Sequence, residues 1–351
     1  MTVKVLIVDD SPTARKLLVH IVNSANNMEV LAEASDGSQA VRLNQKLKPD
    51  VILMDITMPK MNGMEATEEI MATNPTPIVM ISADLHGREA EIGFKALSLG
   101  ALTVMPKPVG MGNSDYQGQA ARLVTTLRNM AGVHVIHHLG SRKQVPSPAP
   151  PRPVRLGVKT KPRIIAIASS TGGPAALGEI LKQLPVQFET PIVIVQHISP
   201  AFNESLMGWL RSVTSLRVVE PQAGQRPQPG HIYLAPGGKH LRFNPNQSFA
   251  FATMPQTSHV PSGDELFDAV ASAYGSQAVG VILTGMGSDG ARGLRRMYEA
   301  GAFTIAQDEE SSVVYGMPKE AVAFGGVKQV LPLSGIPNAL IQLALGEEFA
   351  R

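Results

Sequence analysis

The chain of 351 residues is too long for one ordinary hydrophobic core and predicts two domains of about 100 to 200 residues each. Its 44% hydrophobic and 17% charged residues are typical of a globular protein, and a formal net charge of +2 gives no overall case for nucleic-acid binding. The chain has no cysteine and no apolar run near the roughly 20 residues that span a bilayer, so we expect a cytoplasmic protein without disulfides, thiolate metal sites or membrane insertion.

The first part of the chain, from residue 3 to residue 128, alternates short apolar runs with amphipathic segments. The apolar runs predict strands at Lys4–Val8, Val30–Glu33, Val51–Met54, Ile78–Ser82 and Leu102–Met105. The amphipathic segments predict helices at Pro12–Ser24, Gly37–Leu47, Gly63–Ala72, Ala90–Leu99 and Tyr116–Met130. Such strand–helix units predict a doubly wound α/β domain, with a parallel sheet between two helical layers, over residues 1–130.

Residues 131–162 differ in composition and predict a linker. Six prolines remove backbone donors and disfavour helix, and no acidic residue occurs between residues 134 and 163. The basic character could indicate a nucleic-acid contact, but the lack of aromatic residues favours a solvated linker. His134, His137 and His138 have no acidic or cysteine partner nearby, so we assign them to the linker and not to a metal site.

A second series of apolar and amphipathic segments begins at residue 163 and predicts another doubly wound, Rossmann-like domain over residues 163–351. Strands are predicted at Ile164–Ala168, Ile192–Gln196, Ile232–Leu234, Val279–Leu283 and Phe303–Ala306. Helices are predicted at Ala175–Leu184, Asn203–Arg211, Glu265–Tyr274 and Gly290–Ala300. The alternating stretch Leu241–Thr253 predicts a hairpin.

Three aspartates follow strands of the first domain. Asp9 and Asp10 end the first strand, and Asp55 ends the third. Ligands of an open parallel sheet bind outside the carboxyl ends of its strands, so these carboxylates should meet there. They would repel one another unless a hard divalent cation lay among them. The sequence therefore predicts a Mg²⁺ site at this edge of the sheet.

Two further polar groups are expected at the same edge, Ser82 at the end of the fourth strand and Lys107 at the end of the fifth. A carboxylate, a metal and a cation together can position a transferring phosphoryl group and offset its charge. The alternative is that all of these are loop and helix-capping residues. Five suitable groups at four strand ends favour a phosphoryl site.

Residues 3–128 resemble a two-component receiver domain. The resemblance is carried by Val8-Asp9-Asp10-Ser11, Met54-Asp55-Ile56-Thr57-Met58-Pro59, Ser82-Ala83 and Lys107-Pro108. It implies that Asp55 accepts a phosphoryl group from a histidine kinase. It also implies that Asp9, Asp10 and Asp55 surround Mg²⁺. Ser82 and Lys107 would then contact the phosphoryl group. Many receivers have an aromatic switch residue three positions before the lysine, where this sequence has Val104, so the way in which phosphorylation is read stays open.

The segment Ile164–Pro174 predicts a strand, a tight turn and a helix. Such a turn brings hydroxyl groups to the carboxyl edge of the sheet and aims free helical N–H groups at the same place. The pattern is not the G-x-S-x-G of a nucleophile elbow. Taken alone, Ser169, Ser170 or Thr171 could be a helix cap, part of a phosphate-binding loop or a nucleophile.

A histidine and an aspartate are predicted at the same edge. His197 ends the strand Ile192–Gln196, and Asp289 follows the strand Val279–Leu283 after a glycine-rich turn. A hydroxyl, an imidazole and a carboxylate from three strand ends can form a catalytic triad. His231, His240 and His259 are alternative imidazoles and Asp264 is an alternative carboxylate, but none of them ends a predicted central strand so clearly.

Residues 163–347 resemble the catalytic domain of the chemotaxis protein-glutamate methylesterase family. The matching motifs are Ala168–Pro174, Val195-Gln196-His197, Tyr233–Gly238 and Leu283–Gly290. The resemblance implies Ser170 as nucleophile, His197 as general base and Asp289 as its orienting carboxylate. It further implies that the backbone N–H groups of Thr171 and Met286 bind the oxyanion, and it implies no cofactor for this domain.

The family resemblance implies hydrolysis of glutamyl γ-methyl esters on chemoreceptor helices with release of methanol, and deamidation of receptor glutamines. The stretch Pro261-Ser262-Gly263-Asp264 departs slightly from the family pattern and has no assigned role. Two alternatives stay open. One is a response regulator of a parallel signalling pathway with a different receptor as substrate, and the other is a non-enzymatic domain that binds a partner.

Overall fold

The computed structural model describes residues 2–83, 96–97, 99–133, 161–255, 257 and 259–346. These residues form two compact units, one before and one after residues 134–160. Most of the predicted linker and of the helix predicted at Ala90–Leu99 lies outside the described residues, as do His134, His137 and His138. The domain boundaries therefore stay a prediction.

The first unit contains a parallel sheet whose strand order is β2-β1-β3-β4-β5. The strands are β1 (Val3–Val8), β2 (Met28–Ala34), β3 (Val51–Asp55), β4 (Ile78–Ser82) and β5 (Thr103–Pro106). The helices described are α1 (Pro12–Asn23), α2 (Gly37–Leu47), α3 (Gly63–Thr73) and α4 (Tyr116–Met130). The predicted doubly wound parallel sheet is confirmed.

Burial explains why polar residues of the first unit gather at one edge of its sheet. The central strands β1, β3 and β4 are covered on both faces and carry aliphatic side chains that are almost completely buried. Charged groups therefore fit only where strands end. Ser11 then begins helix α1, because its Oγ accepts a hydrogen bond from the Ala14 N–H at 3.4 Å. This leaves Asp9 and Asp10 in the turn between strand and helix.

The second unit contains a seven-stranded parallel sheet in the order β14-β13-β12-β6-β7-β9-β8. Its strands are β6 (Ile164–Ser169), β7 (Ile192–Gln196), β8 (Arg217–Val219), β9 (His231–Leu234), β12 (Ala278–Ile282), β13 (Phe303–Gln307) and β14 (Gln329–Leu331). The chain runs outward from β6 to one side and later from β12 to the other. The boundary between β6 and β12 is therefore the switch point, where ligands of such sheets bind.

The remaining elements of the second unit cover this sheet. Strands β10 (His240–Phe243) and β11 (Phe249–Ala252) form the predicted hairpin, as an antiparallel pair. The helices are α5 (Gly173–Leu181), α6 (Asn203–Val213), α7 (Gly263–Tyr274), α8 (Ala291–Glu299), α9 (Met317–Ala323) and α10 (Ile336–Leu345). Strands β8 and β14 and helices α9 and α10 were not predicted, because three-residue strands and short C-terminal helices leave little periodicity to detect.

In the described parts of the chain, no helix is both long and apolar enough to cross a membrane.

Candidate active site and receiver pocket

The three aspartates of the first unit meet at the carboxyl edge of its sheet. Carboxylate oxygens of Asp9, Asp10 and Asp55 lie within 4.8 Å of one another. Lys107 Nζ lies 2.9 Å from Asp9 Oδ2 and 2.8 Å from Asp55 Oδ2. Asp9 and Asp55 are buried and Asp10 is exposed. Among the described residues, three carboxylates thus meet the ammonium group of Lys107 in this pocket.

The electrostatics of this pocket favour an added positive charge. Burial raises the pKa of Asp55 to about 6; Lys107 opposes this shift, while the charges of Asp9 and Asp10 add to it. Asp9 Oδ2 is buried, and its partner among the described residues is the Lys107 ammonium, 2.9 Å away. A hard oxygen-donor set with surplus negative charge is consistent with a Mg²⁺ site.

Ser82 and Val104 complete the surroundings of the pocket. Ser82 is buried at the end of β4, and its carbonyl oxygen accepts a hydrogen bond from the Lys107 N–H at 2.8 Å. The two predicted phosphoryl-contacting residues are therefore neighbours on adjacent strands. Val104 is buried within β5 and pairs with Met80 of β4. An aliphatic side chain thus stands where many receivers have an aromatic ring.

The turn that carries Ser170 is shaped by glycines. Gly172 has φ of +78°, and a Cβ there would lie 2.6 Å from Val313 Cβ. At Gly173 a Cβ would lie 2.1 Å from the Oε1 of Gln196. Both positions therefore require glycine, the first for backbone conformation and the second for space. The tight turn leaves Ser170 half-buried at the sheet edge, just before helix α5.

His197 and Asp289 lie at the same edge and contact each other. Ser169 of β6 pairs with Gln196 of β7, so Ser170 and His197 are the next residues on two adjacent parallel strands. The His197 N–H donates to the Ser169 carbonyl oxygen at 2.9 Å. His197 Nε2 lies 2.7 Å from Asp289 Oδ2, and the two side chains are only 5% and 12% exposed. The fold thus brings the three predicted residues to one edge.

The Asp289 carboxylate accepts hydrogen bonds from the segment that begins helix α7. Oδ1 accepts from Ser262 Oγ at 2.6 Å and from the Asp264 N–H at 3.1 Å, and Oδ2 accepts from the Gly263 N–H at 2.6 Å. Burial opposes ionisation, but the hydrogen bonds from His197, Ser262 and Gly263 outweigh it and hold the pKa of Asp289 well below its usual range. Asp289 is therefore an anion that only accepts, so Nε2 of His197 carries the proton.

Asp264, the alternative carboxylate, does not contact the imidazole in this arrangement. Its Oδ1 accepts from the N–H groups of Gly290 and Gly293, at 3.0 and 2.9 Å, and its Oδ2 accepts from Arg292 Nε at 3.1 Å. Asp264 thus fixes the loop after Asp289 while its own N–H donates to Asp289. The stretch Pro261–Asp264, to which the sequence assigned no role, therefore both donates hydrogen bonds to Asp289 and accepts them from the residues that follow it.

Gln196 is a second supporting residue that sequence reasoning missed. Its Nε2 donates to the carbonyl oxygens of Ser170 and His197, at 2.8 and 3.0 Å, and its Oε1 accepts from Ser169 Oγ at 2.7 Å. Gln196 is buried, so its amide orientation is fixed by these partners. It thereby locks together the two strand ends. A polar residue that ends an otherwise apolar strand was the available clue.

The backbone around Thr171 and Met286 is held close to Ser170. The Ser170 N–H donates to the Thr284 carbonyl oxygen at 3.0 Å, and Thr284 Oγ1 donates to the Thr171 carbonyl oxygen at 3.0 Å. A Cβ on Gly285 would lie 2.7 Å from Ser170 Cβ. Because Gly285 contacts Ser170 so closely, the following residue, Met286, also lies at the edge that carries the hydroxyl.

The alternative histidines occupy three different environments. His259 is exposed and its ring stacks on that of His197, with centroids 4.0 Å apart. His240 is fully buried. His231 lies at the start of β9, at the opposite edge of the sheet. His197, His259 and Asp289 also offer donor atoms within 4.8 Å of one another, as a metal site would.

Both halves of the chain match models of known families. Residues 165–340 match the model described as CheB methylesterase. Residues 5–114 match the model described as response regulator receiver domain. The first match covers the Ser-His-Asp edge and the second covers the acidic pocket.

Full-length relatives combine the same two halves. A protein of Myxococcus xanthus named protein-glutamate methylesterase/protein-glutamine glutaminase 4 is 42% identical over 338 residues, which are 96% of each chain. A protein of Nitrosospira multiformis named protein-glutamate methylesterase/protein-glutamine glutaminase is 42% identical and covers 97% of each chain. The crystal structure of the Thermotoga maritima CheB methylesterase catalytic domain is 39% identical, with a TM-score of 0.51, and covers 52% of this chain and 100% of that one. The chain therefore belongs to the CheB methylesterase family, with an N-terminal receiver domain and a C-terminal methylesterase domain.

Proposed function

We propose that the protein is a cytoplasmic protein-glutamate methylesterase and protein-glutamine glutaminase that acts on chemoreceptors and is controlled by phosphorylation of its receiver domain. The observation that carries the proposal is the 2.7 Å contact between His197 and Asp289 beside Ser170, at the switch point of the sheet. Relatives that match this chain over nearly their whole length bear this activity in their names.

In the proposed acylation step, Ser170 is the nucleophile and His197 is the general base. With Nε2–H bonded to Asp289, the Nδ1 of His197 is the basic nitrogen, and it is buried without a hydrogen-bond partner among the described residues. Nδ1 takes the Ser170 proton as Oγ attacks the ester carbonyl carbon. The same proton then passes to the leaving methoxy oxygen, so methanol departs and the glutamyl group remains on Ser170.

In the deacylation step, water is the nucleophile and Ser170 Oγ is the leaving group. A water molecule attacks the glutamyl carbonyl carbon while His197 Nδ1 takes one of its protons. The C–O bond to Ser170 breaks, the proton returns to Oγ, and a free glutamate side chain is released. With a glutamine substrate the leaving group is ammonia, and the acyl-enzyme is the same. One site therefore accounts for both activities.

Charge on the tetrahedral intermediate would be stabilised by the N–H groups of Thr171 and Met286. Both lie beside Ser170, and the first is also next to the N-terminus of helix α5. Removing one such donor typically costs about 10²–10³ in rate. Asp289 stabilises the imidazolium that forms on His197 and does not itself take the proton.

In the receiver domain we assign the phosphoacceptor role to Asp55, with a histidine kinase as the phosphodonor. Asp9, Asp10 and Asp55 would hold Mg²⁺, which offsets the charge of the transferring phosphoryl group when bound. Lys107 contacts two of these carboxylates and can form an ion pair with a phosphoryl group on Asp55. Ser82 lies beside it and would also contact the phosphoryl group. Phosphorylation then raises the rate of ester hydrolysis in the second domain.

The experiment compares wild type, Ser170→Ala and Asp55→Ala on methylated chemoreceptor, with and without acetyl phosphate and Mg²⁺. We expect methanol release by wild type, stimulation by acetyl phosphate, loss of release in Ser170→Ala, and unstimulated release in Asp55→Ala. Full activity of Ser170→Ala would overturn the nucleophile assignment. Equal stimulation of Asp55→Ala would overturn the phosphoacceptor assignment.

A further inference from the structure

The ring of His259 covers one face of the proposed general base. The His197 and His259 rings are parallel within 5°, with centroids 4.0 Å apart. The His197 side chain is 5% exposed, whereas His259 is exposed. The buried imidazole is therefore separated from solvent on this face by a second imidazole.

The stacked geometry argues against a metal ion shared by these two rings. A histidine nitrogen binds a metal along its lone pair, which lies in the plane of the ring. An ion cannot lie in the planes of two parallel rings that are stacked on each other. In addition, Nε2 of His197 is engaged by Asp289, so the donor set of His197, His259 and Asp289 is organised for packing and not for coordination.

The segment that carries His259 is fixed by its neighbours. His240 Nδ1 accepts from the Ser262 N–H at 3.2 Å, so Nε2 carries the ring proton and donates to the Pro255 carbonyl oxygen at 2.8 Å. The Gly238 N–H donates to the Val260 carbonyl oxygen at 3.1 Å. Buried His240 thus ties down both sides of His259. The stacked ring is presented by supported backbone, although the side chain itself is exposed.

We propose that His259 is a positioning residue that acts through His197. Its ring blocks rotation of the His197 imidazole out of the plane in which Nε2 meets Asp289. Its π face also lies against the positive charge that His197 acquires when it takes the serine proton. This inference rests on the proposed function, because it assigns His259 a place in that reaction.

The test uses the full-length chain with acetyl phosphate, Mg²⁺ and methylated chemoreceptor, and measures kcat and KM for methanol release. His259→Ala and His259→Gln remove the ring, and we expect kcat to fall about three- to tenfold with KM unchanged. His259→Phe keeps a flat ring without nitrogen, and we expect it to recover most of the lost kcat. His231→Ala is the matched control, because it removes an imidazole that stacks on Tyr233 at the opposite edge of the sheet.

Four outcomes would overturn the inference. Wild-type kcat in His259→Ala would show that the stack does not support the base. A His259→Phe variant as slow as His259→Gln would show that a ring nitrogen is needed, as would stimulation of wild type by added Zn²⁺. A rise in KM alone would assign His259 to substrate binding. Ser170→Ala is run in parallel, and retained activity in that variant would refute the proposed function itself.

Discussion

The receiver pocket and the Ser-His-Asp edge both lie at the carboxyl ends of parallel strands. Each contains a buried aspartate, but the pKa values of these two aspartates are shifted in opposite directions. Burial raises the pKa of Asp55 to about 6. Burial also opposes the ionisation of Asp289, yet its pKa is held well below the usual range. The difference lies in the partners. Asp289 accepts hydrogen bonds from two N–H groups, a hydroxyl and an imidazole, whereas Asp55 faces two other carboxylates and shares Lys107 with Asp9.

This contrast indicates two kinds of site. The negative charge of Asp289 is satisfied by the chain itself, which suits a carboxylate that must orient the same histidine in every turnover. In the described part of the pocket, the charge of three carboxylates exceeds what Lys107 offsets, which suits a site whose charge balance changes with a cation and a phosphoryl group.

The largest effect is expected for Asp289→Asn. The asparagine amide keeps the size of the side chain, but its one oxygen cannot accept on both sides as the carboxylate does, and it has no charge to stabilise the imidazolium, so kcat should fall about 10³–10⁴-fold. Methanol release from methylated chemoreceptor measures this loss. The control is Asp268→Asn, which removes the ion pair between Asp268 of helix α7 and Arg296 of helix α8 and should leave kcat within about twofold. A loss of less than about tenfold in Asp289→Asn would contradict the orienting role.

The second effect is a gain in stability of the receiver in Asp55→Asn. Burial raises the pKa of Asp55 in the folded state from its ordinary value of 3.8 to about 6, so the folded state binds this proton more tightly than the unfolded state. Stability is therefore lost as pH rises from about 4 through about 6. Near neutral pH the neutral asparagine should stabilise the receiver by up to about 3 kcal/mol, and near pH 4 the advantage should disappear.

Amide hydrogen exchange in strands β3 and β4 measures this change, since the single tryptophan, Trp209, lies in the second unit. Mg²⁺ provides the control, because a cation among the carboxylates favours ionised Asp55 and should narrow the gap between variant and wild type. Equal protection of both proteins at all pH values would show that ionised Asp55 carries no cost in the fold.

The sequence predicted the fold well where elements are long and strongly patterned. The aliphatic central strands and the helices between them lie within two or three residues of their predicted bounds. The edge strands Arg217–Val219 and Gln329–Leu331 were missed, because three residues carry too little pattern and are defined by their neighbours in the sheet. Such short strands form because they pair with a neighbouring strand, and a single sequence does not show which segments pair.

The same division applies to the candidate site. Ser170, His197 and Asp289 could be named because each follows a strand, and topology brings strand ends together. The roles of Ser262, Gly263 and Asp264 toward Asp289 depend on contacts between residues 25 to 27 positions apart, two of them through backbone N–H groups that no side-chain pattern displays. The stack of His259 on His197 likewise follows from the path of a loop. The catalytic roles themselves stay predictions until the variants are tested.

The smallest effect is expected for Ser262→Ala. The variant loses the 2.6 Å hydrogen bond to Asp289 Oδ1 and the acceptor for the Glu265 N–H at the start of helix α7, but the N–H donors of Gly263 and Asp264 remain. We expect kcat to fall about tenfold and the second unit to lose about 1 kcal/mol of stability. Methanol release and denaturation followed by Trp209 fluorescence measure the two losses, with Ser262→Thr as a control that keeps the hydroxyl. Unchanged kcat would mean that backbone donors alone hold Asp289 ionised. A loss as large as that of Asp289→Asn would mean that the low pKa of Asp289 depends on the Ser262 hydroxyl. Without that hydroxyl, burial would then raise the pKa of Asp289, as it raises the pKa of Asp55 in the receiver pocket.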